Sequence, residues 1–310
     1  MKLGFATRTP LGGMPYRTMQ VCNSILEKEG GWAKAFIDID RYGERTFPKD
    51  HGLDDPDLLD CDVLVVSSYM NPDSYPGMNV STHYSTEPHR WRNKAPSELD
   101  STVVAQYQYR FAKNLSALPN CIPIDDPLYV PALEKGTDDG KKILVYCPTS
   151  RSSNGWANKG YAETVKALRS IERDFADWVQ IYILENRPHE EVMAAKRRAH
   201  IVIDECATGS YHSSALEGLS CGAATLCWID NETREALHKI LPEEAMRTLP
   251  FELSTISKIE KSLENLILNE SYCEIRGSES RKWMKEWYSE KFQAEMWIQW
   301  HRRFWLRQSA

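Results

Sequence analysis

The sequence predicts an α/β protein built as two parallel sheets, each wound with helices, and three observations predict it. The second half alternates apolar runs with helical stretches in a regular order. The first half opens on an apolar run, a glycine pair and a helix. The length of 310 residues exceeds what one hydrophobic core ordinarily holds, so two domains are expected.

Taken in order, residues 2–6 are a short apolar strand, Gly12 and Gly13 turn the chain, and 15–28 follow as a helix. Residues 35–39 read as a second strand. Residues 62–67, DVLVVS, form a continuous apolar run of the kind buried on both faces of a parallel sheet. After a turn-rich stretch at 70–76, residues 77–81 give a short strand that opens onto Thr82-His83-Tyr84. Residues 103–115 fit a helix. The proline-punctuated segment 121–130 leads into a polar linker at 134–142, where the domain boundary is expected. Strands then fall at 143–147, 181–184, 201–203 and 224–229, with helices at 161–175, 188–198 and 213–220. The expected domains are therefore 1–135 and 136–280. Residues 281–310 form a helical tail that holds five of the ten tryptophans. Trp283, Trp287, Trp297 and Trp300 recur at helical spacing, and such an aromatic stripe belongs against a core.

Composition narrows the class. A hydrophobic fraction of 42% suffices for real cores, and no apolar run approaches the roughly 18 residues of a membrane span. Only residues 3–6 are apolar or small before Thr7-Arg8, so no secretory signal is expected. The eight cysteines are dispersed and hold no C-x-x-C pair, which favours a reduced, cytoplasmic protein over a disulfide or zinc scaffold. A net charge of −6 argues against a wholly basic nucleic-acid surface. Two local basic patches stand apart from that balance: His89-Arg90-Trp91-Arg92-Asn93-Lys94, and His301-Arg302-Arg303 with Arg307. Basic residues beside aromatics are ordinarily surface positions with snorkelling side chains.

Residues 199–228, AHIVIDECATGSYHSSALEGLSCGAATLCW, read as strand, open loop, helix, glycine stop and second strand. Asp204 and Glu205 end the first strand, residues 206–212 are small and polar, and Ser213 and Ser214 open the helix. In an open parallel sheet, ligands sit beyond the carboxyl ends of the strands, where helix N-termini offer N–H groups to anions. Glu217, one turn into the helix, points toward whatever that loop holds.

This order of acidic strand end, Gly-x-Tyr loop, Leu-Glu-Gly and apolar strand resembles the donor-binding segment of GT-B glycosyltransferases, and glycosyltransferase family 4 in particular. A second block, residues 141–167, resembles the same family's opening of the C-terminal domain: apolar strand, Pro-x-x-Arg, a glycine-bearing loop, Lys-Gly and a helix. The two blocks cover most of the second half before the tail. The resemblance implies a GT-B fold: two Rossmann-like domains facing a cleft, with a C-terminal helix crossing back to the first. It implies a nucleoside diphosphate sugar as donor, of the UDP-sugar kind, and a hydroxyl acceptor. It also implies retention of anomeric configuration, with neither cofactor nor catalytic metal.

The departing diphosphate carries negative charge, so the site needs cations or oriented N–H dipoles. By resemblance, Arg151 and Lys159 clamp it, a planar fork and a point charge in one loop. Gly209, Tyr211, His212, Ser213 and Ser214 then form the donor loop and helix start, and Glu217 accepts from the ribose hydroxyls. Family 4 usually places another glutamate eight positions before this one, where this chain has Gly209. Glu205, four residues earlier, is the candidate to take over part of its role. His83 resembles the family histidine that faces the transferred sugar. Gly12, Gly13, Arg90 and Arg92 lie on the acceptor side.

Asp38-Ile39-Asp40 mimics the metal motif of the other main glycosyltransferase fold, but its place after a second strand makes it a loop start. A nicotinamide enzyme would need G-x-G-x-x-G after the first strand, and Gly12-Gly13-Met14-Pro15 does not supply it. A nucleotide-sugar epimerase and a noncatalytic nucleotide-sugar-binding protein of the same fold stay open. A saccharide is the favoured acceptor. Hydroxymethylated DNA is the alternative, because residues 89–94 combine phosphate-binding cations with a stacking surface.

Overall fold

A computed structural model of the chain describes residues 1–9, 13–37, 52–86, 88, 91, 96–148, 150–152 and 157–309. It divides into two compact units, Met1–Pro123 with Ser289–Ala310, and Ile124–Tyr288. The sequence suggested divisions at 135/136 and 280/281. The segment before residue 135 belongs with the second unit because its backbone is held there. Ser220 Oγ donates to Tyr129 O at 3.0 Å and Arg197 Nε to Val130 O at 2.8 Å.

In the first unit, β1 (Lys2–Thr7), β2 (Trp32–Ile37), β3 (Val63–Ser67), β4 (Val80–Tyr84), β5 (Ser101–Val104) and β6 (Ser116–Leu118) form a parallel sheet in the order β2-β1-β3-β4-β5-β6. Helix α1 (Met14–Leu26) starts from Gly13, whose φ of 82° only glycine adopts without strain, with a proline in its first turn. The helix expected over 103–115 is not formed. Val103 and Val104 lie in β5, where β-branched side chains fit the pleat, and a short 3₁₀ turn at Tyr107–Phe111 leads to β6.

The second unit holds β7 (Lys142–Tyr146), β8 (Val179–Ile183), β9 (Ile201–Ile203), β10 (Ala224–Cys227) and β11 (Glu252–Leu253), parallel throughout, in the order β11-β10-β9-β7-β8. Helices α2 (Tyr161–Asp174), α3 (His189–Arg198), α4 (Ser213–Ser220), α5 (Asn231–His238), α6 (Glu243–Arg247), α7 (Ile259–Leu268) and α8 (Glu270–Trp287) belong to the same unit. The chain goes from β7 to β8 on one side of it and then returns to β9 on the other. The sheet's switch point therefore lies between β7 and β9, where ligands of open parallel sheets bind.

The tail is two helices. Ser289 caps α9 (Glu290–Gln308) by accepting from Phe292 N–H, and this break splits the tryptophan stripe. Trp283 of α8 is buried in the second unit and donates to Ala245 O at 3.0 Å. Trp297 and Trp300 of α9 are buried in the first unit with Leu3, Phe5, Val21 and Val65. Gln293 clamps both backbone groups of Ile122, accepting its N–H at 2.6 Å and donating to its carbonyl at 3.0 Å. Among the described residues no helix is long and apolar enough to cross a membrane.

Candidate functional site

The loop after β9 is built around Glu205. Its carboxylate is 1% exposed and accepts from the N–H groups of Ala207 at 2.7 Å and Thr208 at 2.8 Å, as well as from the Thr208 hydroxyl. Both oxygens thus brace the turn at the position that the sequence offered in place of the glutamate usual in family 4. Gly209 has φ 77°, and a Cβ there would lie 2.5 Å from Asp230 Oδ2. Its carbonyl accepts from Asp230 N–H at 3.0 Å and from Thr233 Oγ1 at 2.7 Å, which ties the loop to the start of α5. A side chain at 209 is excluded by backbone conformation and by space together.

Across the switch point, the loop after β7 meets this loop. Asp204 Oδ2 accepts His212 N–H at 2.7 Å and lies 3.3 Å from His212 Nδ1. Lys159 Nζ lies 2.9 Å from His212 Nε2. An ammonium can only donate, so Nε2 accepts and Nδ1 carries the proton toward Asp204; the tautomer is assigned from this network. Asp204, His212 and Lys159 thus form a line that ends in a cation at the N-terminus of α4. Gly160 permits the approach: a Cβ there would meet Ile256 Cδ1 at 2.9 Å and Ala207 Cβ at 3.2 Å.

One turn into α4, Glu217 is nearly buried. Its Oε2 is 2.6 Å from Lys196 Nζ, and its Oε1 is 3.1 Å from His189 Nε2. Lys196, 1% exposed, also donates to Ser214 Oγ at 2.8 Å and Ser214 O at 3.3 Å. Burial pulls the ammonium down, but the charge and hydrogen bond of Glu217 work against it and Lys196 is held above its ordinary range. Sequence reasoning missed both partners, because Lys196 stands in a Lys-Arg-Arg run that reads as a solvated helix end. The available signal was its position three residues after Met193, on the same inward face of α3.

The other expected residues are more scattered. Arg151 is 62% exposed in its side chain and pairs with Glu185, which also accepts from the Tyr161 hydroxyl at 2.7 Å. Ser213 begins α4 and Ser214 faces Lys196. The Tyr211 side chain is in the core, 5.7 Å from the Phe251 ring, so it supports the loop from beneath and does not line it. His83, expected beside the transferred sugar, is placed in the interior of the first unit. Its Nδ1 is 2.9 Å from Thr102 Oγ1 and its ring 4.8 Å from that of Trp297. Burial, with the nearby His301, lowers its pKa to about 3, so the ring is neutral. Gly13 caps α1. Gly12, Arg90 and Arg92 lie outside the described residues, as do Asp38, Ile39 and Asp40.

No protein-family model matches the chain, and no curated protein matches it. Solved structures do. An alpha-glucosyltransferase in complex with UDP and a 13-mer DNA containing a HMU base superposes with a TM-score of 0.62 at 10% identity, over 97% of this chain and 99% of that one. Sucrose-phosphate synthase from Thermosynechococcus elongatus gives 0.57 at 10% identity, over 99% and 100%. UDP-GlcNAc 2-epimerase from Neisseria meningitidis, bound to UDP-GlcNAc, gives 0.50 at 11% identity, over 98% and 100%. The chain has the GT-B fold. At these identities the likeness shows the fold alone, and membership in glycosyltransferase family 4 is not among what it shows.

Proposed function

We propose that the protein is a glycosyltransferase that moves a sugar from a UDP-sugar or similar nucleoside diphosphate sugar to a hydroxyl acceptor, with retention and without a metal. The observation that carries this reading is the Asp204–His212–Lys159 line at the head of α4, with Glu217 one turn behind it. Cleavage of the donor leaves charge on the diphosphate. Lys159 and the α4 N-terminus supply a cation and aligned dipoles where that charge develops. Arg151 adds a second cation when a phosphate oxygen competes with Glu185 for its guanidinium. Glu217 takes the ribose hydroxyls.

The test is a panel of nucleoside diphosphate sugars, scored for thermal stabilisation and for nucleoside diphosphate release with and without chelator. A ligand at about a hundred times its Kd stabilises by about 2.7 kcal/mol. Absence of stabilisation by every donor would sink the reading. Sugar interconversion without acceptor would make the protein an epimerase, and binding without either reaction would make it a binding protein. Activity abolished by chelator and restored by manganese would remove metal independence, and an inverted product would remove retention.

A saccharide hydroxyl remains one acceptor. A hydroxymethylated base in DNA is favoured by a specific observation: the DNA-bound alpha-glucosyltransferase structures match nearly end to end, at TM-scores of 0.62 and 0.61. In the basic run at 89–94 the Trp91 ring is buried against Tyr84 and offers no stacking surface, so the sequence counterpart is the charge of Arg90, Arg92 and Lys94 alone. Transfer to hydroxymethylated duplex but not plain duplex, weakening with salt and with Arg90→Ala/Arg92→Ala, would support it; no binding at low salt would dispose of it.

A further inference from the structure

We propose that Lys196 is a positioning residue of the donor site: its buried ammonium keeps Glu217 an oriented carboxylate, so that an anion and not a neutral acid meets the donor ribose. This rests on the donor reading above and adds a residue to which neither motif points. Lys196 Nζ faces three acceptors, Glu217 Oε2 at 2.6 Å, Ser214 Oγ at 2.8 Å and Ser214 O at 3.3 Å, matching the three protons of an ammonium. It therefore fixes one oxygen of Glu217 against the first turn of α4, while His189 approaches the other.

A carboxylate buried as Glu217 is, without a cation beside it, takes up a proton, and a neutral acid has one acceptor oxygen fewer for a vicinal diol. The groups facing the pair are His189 at the head of α3, Cys147 beyond β7 and Cys221 at the end of α4. A plain brace between α3 and α4 would not need a lysine, because an apolar side chain of similar length would avoid desolvating an ammonium. The charge has a purpose when its partner must stay ionised.

The experiment measures binding of UDP and of 2′-deoxy-UDP to the full-length protein by calorimetry between about pH 6 and 8.5, for wild type, K196R, K196M, E217Q and K196M/E217Q. Wild type is expected to favour UDP by about tenfold, the scale of one charged hydrogen bond. E217Q should lose that preference at every pH. K196M should lose it at pH 6 and regain it as pH rises, since a raised carboxyl pKa means ionisation only above it. K196R should keep it, and K196M should change nothing further on the E217Q background.

K196M with an undiminished preference at pH 6, or with equal losses on both backgrounds, overturns the proposal alone. If K196M does not fold, the double variant leaves no unpaired charge and carries the comparison: affinity below that of E217Q is again against it. Wild type that binds no UDP takes down the donor reading and this proposal together.

Discussion

Replacing Gly209 with glutamate introduces the residue usual in the family that the donor segment resembles, and the structure requires the opposite of a gain. A non-glycine residue at φ 77° costs about 1–2 kcal/mol. The new Cβ would also lie 2.5 Å from Asp230 Oδ2 and 2.8 Å from Asp230 Cγ, so Asp230 must move. Asp230 is the N-cap of α5, accepting from Thr233 N–H at 2.9 Å, and losing such a cap costs about 1 kcal/mol. Together these come to about 2–3 kcal/mol, or about 5–10 °C in Tm for a unit of this size. Differential scanning calorimetry of wild type, Gly209→Ala and Gly209→Glu measures it, with UDP titrations alongside. Gly209→Ala should already show most of the loss, because it introduces the same backbone strain and the same Cβ. UDP affinity should fall with it, since the displaced loop carries His212 and the start of α4. A Gly209→Glu protein that melts at the wild-type temperature, or binds UDP more tightly, would refute the reasoning.

Lys159→Ala should weaken UDP binding by about 1.5–3 kcal/mol, the range for a hydrogen bond to a charged group, and an unchanged Kd by calorimetry would remove Lys159 from the diphosphate. Arg151→Ala should cost less, below about 1 kcal/mol, because its side chain is 62% exposed and screened, so a larger loss than Lys159→Ala would reverse their assigned weights. Trp297→Ala should destabilise the first unit by about 3–5 kcal/mol through the cavity it leaves under α9; a melting curve unchanged from wild type would contradict that packing. His83 and His301, with folded pKa values of about 3 and about 4 against 6.5, are neutral when folded, so the unfolded chain binds protons first. The stability they contribute is complete above about pH 6.5 and is lost as pH falls toward 4 and then 3. Melts between about pH 7.5 and 5 should therefore slope downward in wild type and less in His83→Gln/His301→Gln, and equal slopes would rule these two out as the cause.

The central strands were legible because they are uninterrupted apolar runs: Val63–Ser67 is buried at every position, as is Ile201–Ile203. Ser116–Leu118 and Glu252–Leu253 were not, since neither is an unbroken apolar, buried run: Ser116 and Leu253 are exposed and Glu252 is charged. Residues 103–115 misled because two valines at the end of a strand sit beside aromatic residues that the 3₁₀ turn spaces much as a helix would. The tryptophan stripe misled for a different reason: a helical period continues through a break, and only the Ser289 cap marks where one helix ends and the next begins. In the candidate site, the legible residues were those whose neighbours along the chain share the work, as in Asp204, Glu205 and the loop to Ser213.

What sequence could not supply was the pairing. Lys159 meets His212 across 53 positions and Lys196 meets Glu217 across 21, and neither separation has any local signature. Both follow from the strand order β9-β7-β8. Because β7 lies between its two successors, the loop leaving β7 is set beside the loop leaving β9, and Lys159 comes to His212. Because α3 joins the β8 edge to β9 across β7, its inward face packs on α4, and the one cation on that face, Lys196, meets the first carboxylate inside α4. The same order that makes a switch point for a ligand thus also decides which charges are brought together there, and a helix-end lysine becomes a buried partner without any change in its own local sequence.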